Sequence, residues 1–201
     1  MNVTRGFSGR PRRTGRAATR RCRRAGDDWP VLSAEVTPDL SPEDWSFRVD
    51  GLVAEPRTWD WAEAHALPAS AYEGDIHCVT SWSKFGVRFG GVSLDAFLDA
   101  ARPDASATHA VAYSHTGYTT NLPIADLTGG RAWIAYEYDG EPLEPVHGGP
   151  ARLLVPHLYF WKSAKWVRGL ELSDDDVPGF WEQYGYHNYG DPWKEQRYAG
   201  D

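Results

Sequence analysis

Cysteine is scarce in this chain of 201 residues, which contains only Cys22 and Cys78. Two cysteines make a disulfide framework improbable, and without a CxxC motif or paired histidines a zinc site of the Cys₄ or Cys₂His₂ type is disfavoured. A CxxCH haem-attachment motif and the cysteine spacing of an iron–sulfur cluster are missing as well, so we expect no haem in the chain. If Cys78 binds a metal, the other ligands must come from a cofactor.

Long apolar runs are also missing. No stretch approaches the ~20 apolar residues that cross a bilayer, so we predict no membrane span. Residues 1–24 carry nine arginines and no acid, whereas the remainder holds 12 basic and 28 acidic residues. The acidic body argues against nucleic-acid binding, and residues 1–28 are predicted to be an Arg-rich disordered tail. Because no apolar run follows the arginine pairs of this tail, twin-arginine export is disfavoured and a cytoplasmic location is predicted.

The rest of the chain combines short strand patterns with few helices. In residues 45–53, Trp45, Phe47 and Val49 alternate with polar side chains, as in a half-buried strand. A helix is predicted over residues 59–67, and Ser93 can cap a second one. The glycine-containing residues 81–91 are predicted to form a loop. Further strands are predicted at 74–80, 109–114, 118–122, 131–138, 151–155 and 164–172. Short, irregularly spaced strands of this kind predict an α+β fold with mixed β-sheets and a few short helices.

Cys78 is the first candidate for chemistry. It lies in the segment DIHCVTSWSKFGVRFGGVSL, residues 75–94, where a predicted strand ends before the predicted loop. Because adjacent strand residues point to opposite faces, His77 is not expected to share a ligand with Cys78. A buried cysteine is often only a small hydrophobic residue, and for this segment alone that alternative stays open.

A group of basic side chains in residues 147–172 stands out in an otherwise acidic protein. It suits a phosphorylated ligand, because arginine grips phosphate with two parallel donors and lysine adds a point charge. Gly148 and Gly149 are expected to let backbone N–H groups approach an anion. The alternative is that these cations pair with surface carboxylates. The group consists of His147, Arg152, His157, Lys162, Lys165 and Arg168.

Residues 177–201 are rich in aromatic and polar side chains and have neither helical nor strand periodicity. We predict that they form an extension that packs irregularly on a domain of residues 29–176. A lid over the active site is the functional alternative.

Five segments in the same order make residues 29–201 resemble the sulfite-oxidase-type molybdopterin-dependent oxidoreductase domain, and in particular its short, single-domain bacterial members without haem. The segments are RVDGLV (48–53), HCVTSW (77–82), GYTTNLP (117–123), AYEYDGEPL with HGGPARLLVP (135–156) and FWKSAKW (160–166). The resemblance implies a sulfite-oxidase-like fold and a Mo-molybdopterin cofactor. It further implies oxygen-atom transfer on a small substrate (a sulfite-like anion, an S-oxide or an N-oxide), with electrons exchanged with a separate donor or acceptor protein.

The same resemblance implies roles for particular residues. Cys78 is the implied catalytic cysteine whose thiolate binds molybdenum, a soft ligand for a redox-active metal. Tyr118 is implied to be a catalytic hydrogen-bond donor to a metal oxo group or a substrate oxyanion. The implied cofactor-binding residues are His147, Arg152, Ser163, Ala164 and Lys165.

The sequence differs from the residue patterns of two groups of members of this family, the sulfite-oxidising and the sulfoxide-reducing ones. Sulfite-oxidising members carry an arginine before the first strand, whereas no basic residue lies between Arg24 and Arg48. Sulfoxide-reducing members have an asparagine where His147 stands. Two other kinds of function stay open: a hydrolase that uses Cys78 as nucleophile with His147 or His157 as base, and a non-catalytic module that binds a ligand on its aromatic surfaces.

Overall fold

The structure is a computed structural model that describes residues 30–201. The predictions for the Arg-rich tail and for Cys22 lie outside these residues. The described helices are α1 (Trp61–His65), α2 (Leu94–Ala101) and α3 (Phe180–Gln183). The strands are β1 (Ser46–Gly51), β2 (Arg57–Asp60), β3 (Ala69–Cys78), β4 (Trp82–Ser93), β5 (His109–Ser114), β6 (Thr119–Pro123), β7 (Trp133–Tyr138), β8 (Glu141–Pro142), β9 (Arg152–Leu154) and β10 (Val167–Ser173). Single 3₁₀ turns lie at Pro42–Asp44, Ile124–Asp126, Pro145–His147 and Phe160–Lys162.

Two sheets organise the described residues. The first has the strand order β2-β1-β10-β5-β6, in which β1 and β10 run parallel and the other neighbours antiparallel. The second has the order β3-β4-β7-β8, and β9 pairs with β7. The mixture of strand directions and the short helices confirm the predicted α+β class.

An aromatic cluster holds the first sheet to α2. The Phe97 ring lies 5.0 Å from both the Phe47 and the Trp59 rings, and all three side chains are fully buried. Aromatic rings of this size bury a large apolar area and pack edge to face. A second, smaller cluster that includes Ile76 and Phe89 lies on the other sheet. Ile76 of β3 and Leu154 of β9 belong to the second cluster, and Leu153 of β9 belongs to the main one. The candidate site lies near the ends of these two strands.

The loop predicted for residues 81–91 is wrong, because these residues form most of β4 and pair with β3 as a hairpin. Trp82, Val87 and Phe89 bury their side chains in the second sheet, which compensates for the three glycines of this strand. Gly91 is required where β4 approaches β7, since a Cβ there would lie 2.2 Å from the Ile134 carbonyl oxygen.

The helix predicted for residues 59–67 is shorter than expected. Trp59 belongs to β2 and pairs with Phe47, so burial in the sheet overrides its place in the helical pattern. Helix α1 begins after Asp60, whose carboxylate accepts from the Glu63 amide in a capping box. The Ser93 cap is confirmed, because its hydroxyl accepts from the Asp95 amide at 3.4 Å. Within residues 30–201 no helix has the length and apolar character needed to cross a membrane.

Candidate active site

A cavity of about 410 Å³ lies where β3 ends, beside the segment 160–166. Its walls bring together six of the seven residues proposed from the sequence, although these are up to 87 positions apart in the chain. The six are Cys78, Tyr118, Arg152, Ser163, Ala164 and Lys165. His147 does not line the cavity, but its carbonyl oxygen accepts a hydrogen bond from Arg152 Nη1 at 2.7 Å.

Cys78 is the last residue of β3, and the turn to β4 follows it directly. Cys78 lines the cavity, and its sulfur lies 3.1 Å from the Thr80 hydroxyl oxygen. Burial raises the pKa of the thiol, and the nearby Thr80 and Arg197 work in the opposite direction. His77 lines a separate cleft, and its Nδ1 lies 2.8 Å from the Ser83 hydroxyl oxygen. The strand geometry thus separates these two neighbours, as the sequence predicted.

Arg152 is a fully buried cation in β9. Its Nη1 and Nη2 atoms donate to the carbonyl oxygens of His147 and Ser163, each at 2.7 Å, and the guanidinium lies 4.1 Å from the centre of the Phe160 ring. No carboxylate within residues 30–201 forms an ion pair with it. Burial lowers the pKa of Arg152 to about 9, which shows how unfavourable its charge is without a counter-ion.

Lys165 is the second cation of the cavity wall. Its Nζ donates to the Val146 carbonyl oxygen at 2.7 Å, and in the described part of the chain it too forms no ion pair with a carboxylate. Burial, followed by the positive charge of Arg152, lowers the pKa of Lys165 to about 8. Two neighbouring cations whose charges both lack an acidic partner are suited to bind a dianionic phosphate group.

Ser163 and Ala164 connect the Lys165 segment to β9. The Ser163 hydroxyl accepts from the Val155 amide at 2.9 Å, and the Ala164 carbonyl accepts from the Leu153 amide at 2.9 Å. These bonds hold the segment at a fixed distance from Arg152. The thiol on one side and the two cations on the other fit a cofactor that contains both a metal centre and a phosphate.

The interpretation of Gly148 and Gly149 as an anion cradle is wrong. Their amides donate to the carbonyl oxygens of Pro145 and Glu144, both at 3.0 Å. Gly148 is needed for packing instead, since it has a φ of +110° and a Cβ would lie 3.1 Å from Lys165 Cα. The glycine therefore allows the Lys165 segment to approach the turn before β9.

Tyr118 lies deep in the cavity wall with its hydroxyl already engaged. The hydroxyl donates to the Trp161 carbonyl oxygen at 2.7 Å. Burial, followed by the charge of Glu182, raises the pKa of Tyr118 well above its ordinary value. This geometry favours positioning of the segment 160–166, and donation to a substrate would require the Trp161 bond to break.

Besides His147, three more of the six basic residues do not line the cavity. Lys162 is completely buried and lies 2.7 Å from Glu182 Oε1, and His157 Nε2 lies 2.9 Å from Asp126 Oδ1. These two pair with carboxylates, but both carboxylates are buried, whereas the alternative interpretation had placed the carboxylates at the surface. Arg168 is exposed on β10.

Sequence reasoning missed several cavity residues. Glu35 comes from the segment before β1, and Trp181 and Tyr186 come from α3 and the residues after it. The many aromatic residues after position 177 were a signal that this segment packs against the domain or over its active site. No pattern in the sequence marked Glu35.

The cavity of this mixed-sheet domain joins a thiol to two cations without carboxylate partners, which suits an anionic cofactor that contains a metal. Residues 34–181 match the family model described as an oxidoreductase molybdopterin binding domain, and the chain belongs to this family. The protein is therefore a molybdopterin-dependent oxidoreductase, which confirms the resemblance seen in the sequence.

Curated relatives agree with this family. The chain is 42% identical over 176 residues to "Uncharacterized oxidoreductase YuiH" of Bacillus subtilis (strain 168), an alignment that covers 86% of this chain and 88% of that protein. It is 30% identical over 147 residues to "Putative protein-methionine-sulfoxide reductase subunit YedZ1" of Azospira oryzae, and 28% identical over 178 residues to "Protein-methionine-sulfoxide reductase catalytic subunit MsrP" of Gluconobacter oxydans (strain 621H). These alignments cover 72% and 78% of this chain but 56% of each of those proteins.

Among solved structures, the fold resembles the sulfane dehydrogenase SoxCD from Paracoccus pantotrophus, with a TM-score of 0.64 and 22% identity. The match covers 69% of this chain and 40% of that one. This likeness confirms the sulfite-oxidase-like fold. The family match also favours a redox enzyme over the hydrolase and the non-catalytic module.

Proposed function

We propose that this protein transfers an oxygen atom to or from a small substrate, with Cys78 as the protein ligand to molybdenum. The observation that carries the proposal is the cavity itself, which joins the Cys78 thiol to Arg152 and Lys165. When bound, the molybdenum cofactor supplies a metal centre at which a substrate gains or loses one oxygen atom in exchange for two electrons.

In this proposal the protein binds and orients the cofactor. Arg152 and Lys165 bind its phosphate, and cofactor binding is strengthened because the phosphate relieves the cost of two buried charges. Ser163 and Ala164 hold the Lys165 segment against β9 through the bonds described above. His147 contributes through its carbonyl oxygen, which orients the Arg152 guanidinium.

The remaining walls control access to the reacting end of the cavity. Trp161, Trp181 and Tyr186 provide apolar surface that keeps water away from the metal ligand. Tyr118 positions the segment 160–166 through its bond to Trp161, and it is the proposed substrate-side hydroxyl if that bond opens.

The substrate and the redox partner belong to the same proposal. Two relatives are named as protein-methionine-sulfoxide reductases, which supports an S-oxide as substrate. The same names call those proteins a subunit and a catalytic subunit, which supports a separate protein as electron donor or acceptor. A cytoplasmic location stays a prediction that cell fractionation would test.

Metal and pterin analysis tests the proposal most directly. Protein from a host with molybdenum and an intact pterin pathway should contain close to one molybdenum and one pterin per chain. Arg152→Ala and Lys165→Ala should lower this occupancy while the circular dichroism spectrum stays folded. A folded protein free of molybdenum and pterin under these conditions would contradict the proposal, and full occupancy in both variants would remove these two residues from the phosphate site.

A further inference from the structure

The two cations of the cavity wall bond to neighbouring carbonyl groups of one turn. Lys165 Nζ donates to the Val146 carbonyl oxygen at 2.7 Å. Arg152 Nη1 donates to the next carbonyl oxygen, that of His147, also at 2.7 Å. We call residues 145–148 the carbonyl turn. Because both side chains bond to it, the position of this turn decides where their charged ends lie.

Trp166 bonds to the first and the last carbonyl group of the same turn. Its indole Nε1 donates to the Pro145 carbonyl oxygen at 2.8 Å, and its amide donates to the Gly148 carbonyl oxygen at 3.3 Å. Its own carbonyl oxygen accepts from the amide of His115, in the turn between β5 and β6, at 2.9 Å. The tryptophan therefore connects the carbonyl turn to the first sheet.

Trp166 is also held in an unusual backbone conformation. Its φ is +49°, which a bulky residue rarely adopts, and its buried side chain forms part of the cavity wall. Such a conformation persists only where the surrounding contacts determine it, and it is common at functional sites. The Lys165 Nζ atom lies 5.5 Å from the centre of the indole ring. Phenylalanine would fill much of the same space, so the indole N–H is the feature that requires tryptophan here.

We infer that Trp166 is a positioning residue of the cofactor site, whose indole N–H keeps the carbonyl turn where Lys165 and Arg152 both reach the phosphate group. The inference rests on the proposed function, in which those two cations bind the phosphate. A binding site loses affinity when the residues that orient its charged groups are removed, because those groups must then be ordered during binding. Trp166 acts through the two cations in this way.

Phosphate binding to the cofactor-free protein tests the inference without turnover. The probe is inorganic phosphate, titrated by calorimetry at pH 7, where Lys165 is mostly protonated because its pKa is about 8. Arg152→Ala should abolish the signal, which assigns it to this site. Trp166→Phe removes the N–H group, and we expect it to bind phosphate about three- to tenfold more weakly than the wild type. The matched control is Trp59→Phe, a fully buried tryptophan of β2 outside the cavity wall, which should leave the affinity unchanged.

Cofactor retention in the loaded protein gives the second measurement. The purified protein is diluted, and the pterin that leaves the chain is followed by its fluorescence. Trp166→Phe should release pterin about three- to tenfold faster than the wild type, and Trp59→Phe should not.

The outcomes separate this inference from the proposed function. Equal phosphate affinity in the wild type and Trp166→Phe, or equal weakening in Trp59→Phe, would overturn the inference alone. So would a Trp166→Phe chain that is unfolded by circular dichroism, because the residue would then be purely structural. No phosphate binding in the wild type, or unchanged binding in Arg152→Ala, would contradict the proposed phosphate site and the inference with it.

Discussion

At the scale of single residues, a substitution of Cys78 gives the most direct test of the proposed metal ligand. Cys78→Ser replaces a soft thiolate by a hard hydroxyl of nearly the same size, so the fold should survive. We expect loss of the visible thiolate-to-molybdenum charge-transfer band together with turnover, measured by absorption spectroscopy and a dye-linked assay. Cys22→Ser is the matched control and should change neither. An unchanged band in Cys78→Ser would show that the metal has another protein ligand.

Lys165 should make the free energy of unfolding depend on pH. Its pKa in the folded protein is about 8, below the ordinary 10.5, because of burial and the nearby Arg152. Between these two values the unfolded chain binds the proton more than the native protein does, so the free energy of unfolding rises with pH. Urea unfolding of the cofactor-free protein should show this rise between about pH 8 and pH 10.

Lys165→Met is the comparison for that experiment, because it keeps most of the volume of the side chain without the charge. Its stability should lack the part of the rise that Lys165 contributes, and at pH 7 it should equal or exceed that of the cofactor-free wild type. Cofactor occupancy should nevertheless fall. Parallel pH profiles in the two proteins would show that Lys165 is not the group that titrates.

At the scale of elements, a buried ion pair joins the 3₁₀ turn Phe160–Lys162 to α3. The side chains of Lys162 and Glu182 are both completely buried, and Glu182 also accepts from Trp161 Nε1 at 2.7 Å. Lys162 further donates to the side chain and the carbonyl oxygen of Asn121 in β6. The pair therefore connects the cavity segment, the first sheet and the C-terminal residues.

Breaking that pair should be costly. Lys162→Met leaves the Glu182 carboxylate buried without its cation, and we expect a loss of about 3–5 kcal/mol in the free energy of unfolding. The double variant Lys162→Met/Glu182→Leu should be more stable than the single one, because no unpaired charge is left. Arg88→Met breaks the exposed pair with Glu73 and should cost under about 1 kcal/mol. Urea denaturation measures all three, and a loss no larger in Lys162→Met than in Arg88→Met would contradict the assignment.

At the scale of the whole molecule, the residues after 176 behave as part of the domain. Phe180, Trp181 and Tyr189 pack against the main core, and Trp181 also lines the cavity. The proposed boundary between a domain of 29–176 and an extension of 177–201 is therefore open to experiment. The same segment packs on the domain and contributes Trp181 and Tyr186 to the cavity wall, and its role as a lid stays a prediction.

A chain ending at residue 176 tests that boundary. It loses Glu182, so Lys162 is left as a buried charge, and it exposes the core surface under Phe180. We expect it to lose cooperative thermal unfolding, followed by circular dichroism with the full chain as reference. A truncated chain that unfolds cooperatively and still binds the cofactor would show that the extension is separable.

Six residues of the cavity wall could be anticipated from the sequence, and the others could not. The segments that contain Cys78, Tyr118, Arg152 and Lys165 identified these six because each is a short, distinctive stretch that resembles a known family. The sequence could not show that Lys162 and His157 lie outside the cavity wall while Arg152 and Lys165 are part of it. Consecutive basic residues look alike in sequence, and only the directions of their side chains decide which carboxylate or carbonyl each one meets.

The fold class, the family and the metal-binding candidate could all be predicted from the amino-acid sequence. Strand periodicity is a local property, whereas Cys78 was identified by five family segments taken together, because the residues around it left a plain buried cysteine as an alternative. Only the tertiary structure decided what shares the cavity with that thiol. Glu35, Trp181 and Tyr186 are distant in the chain, and they line one cavity because two sheets and a buried ion pair bring their segments together. The charge of the cavity wall depends on such long-range contacts, which no short segment of the sequence contains.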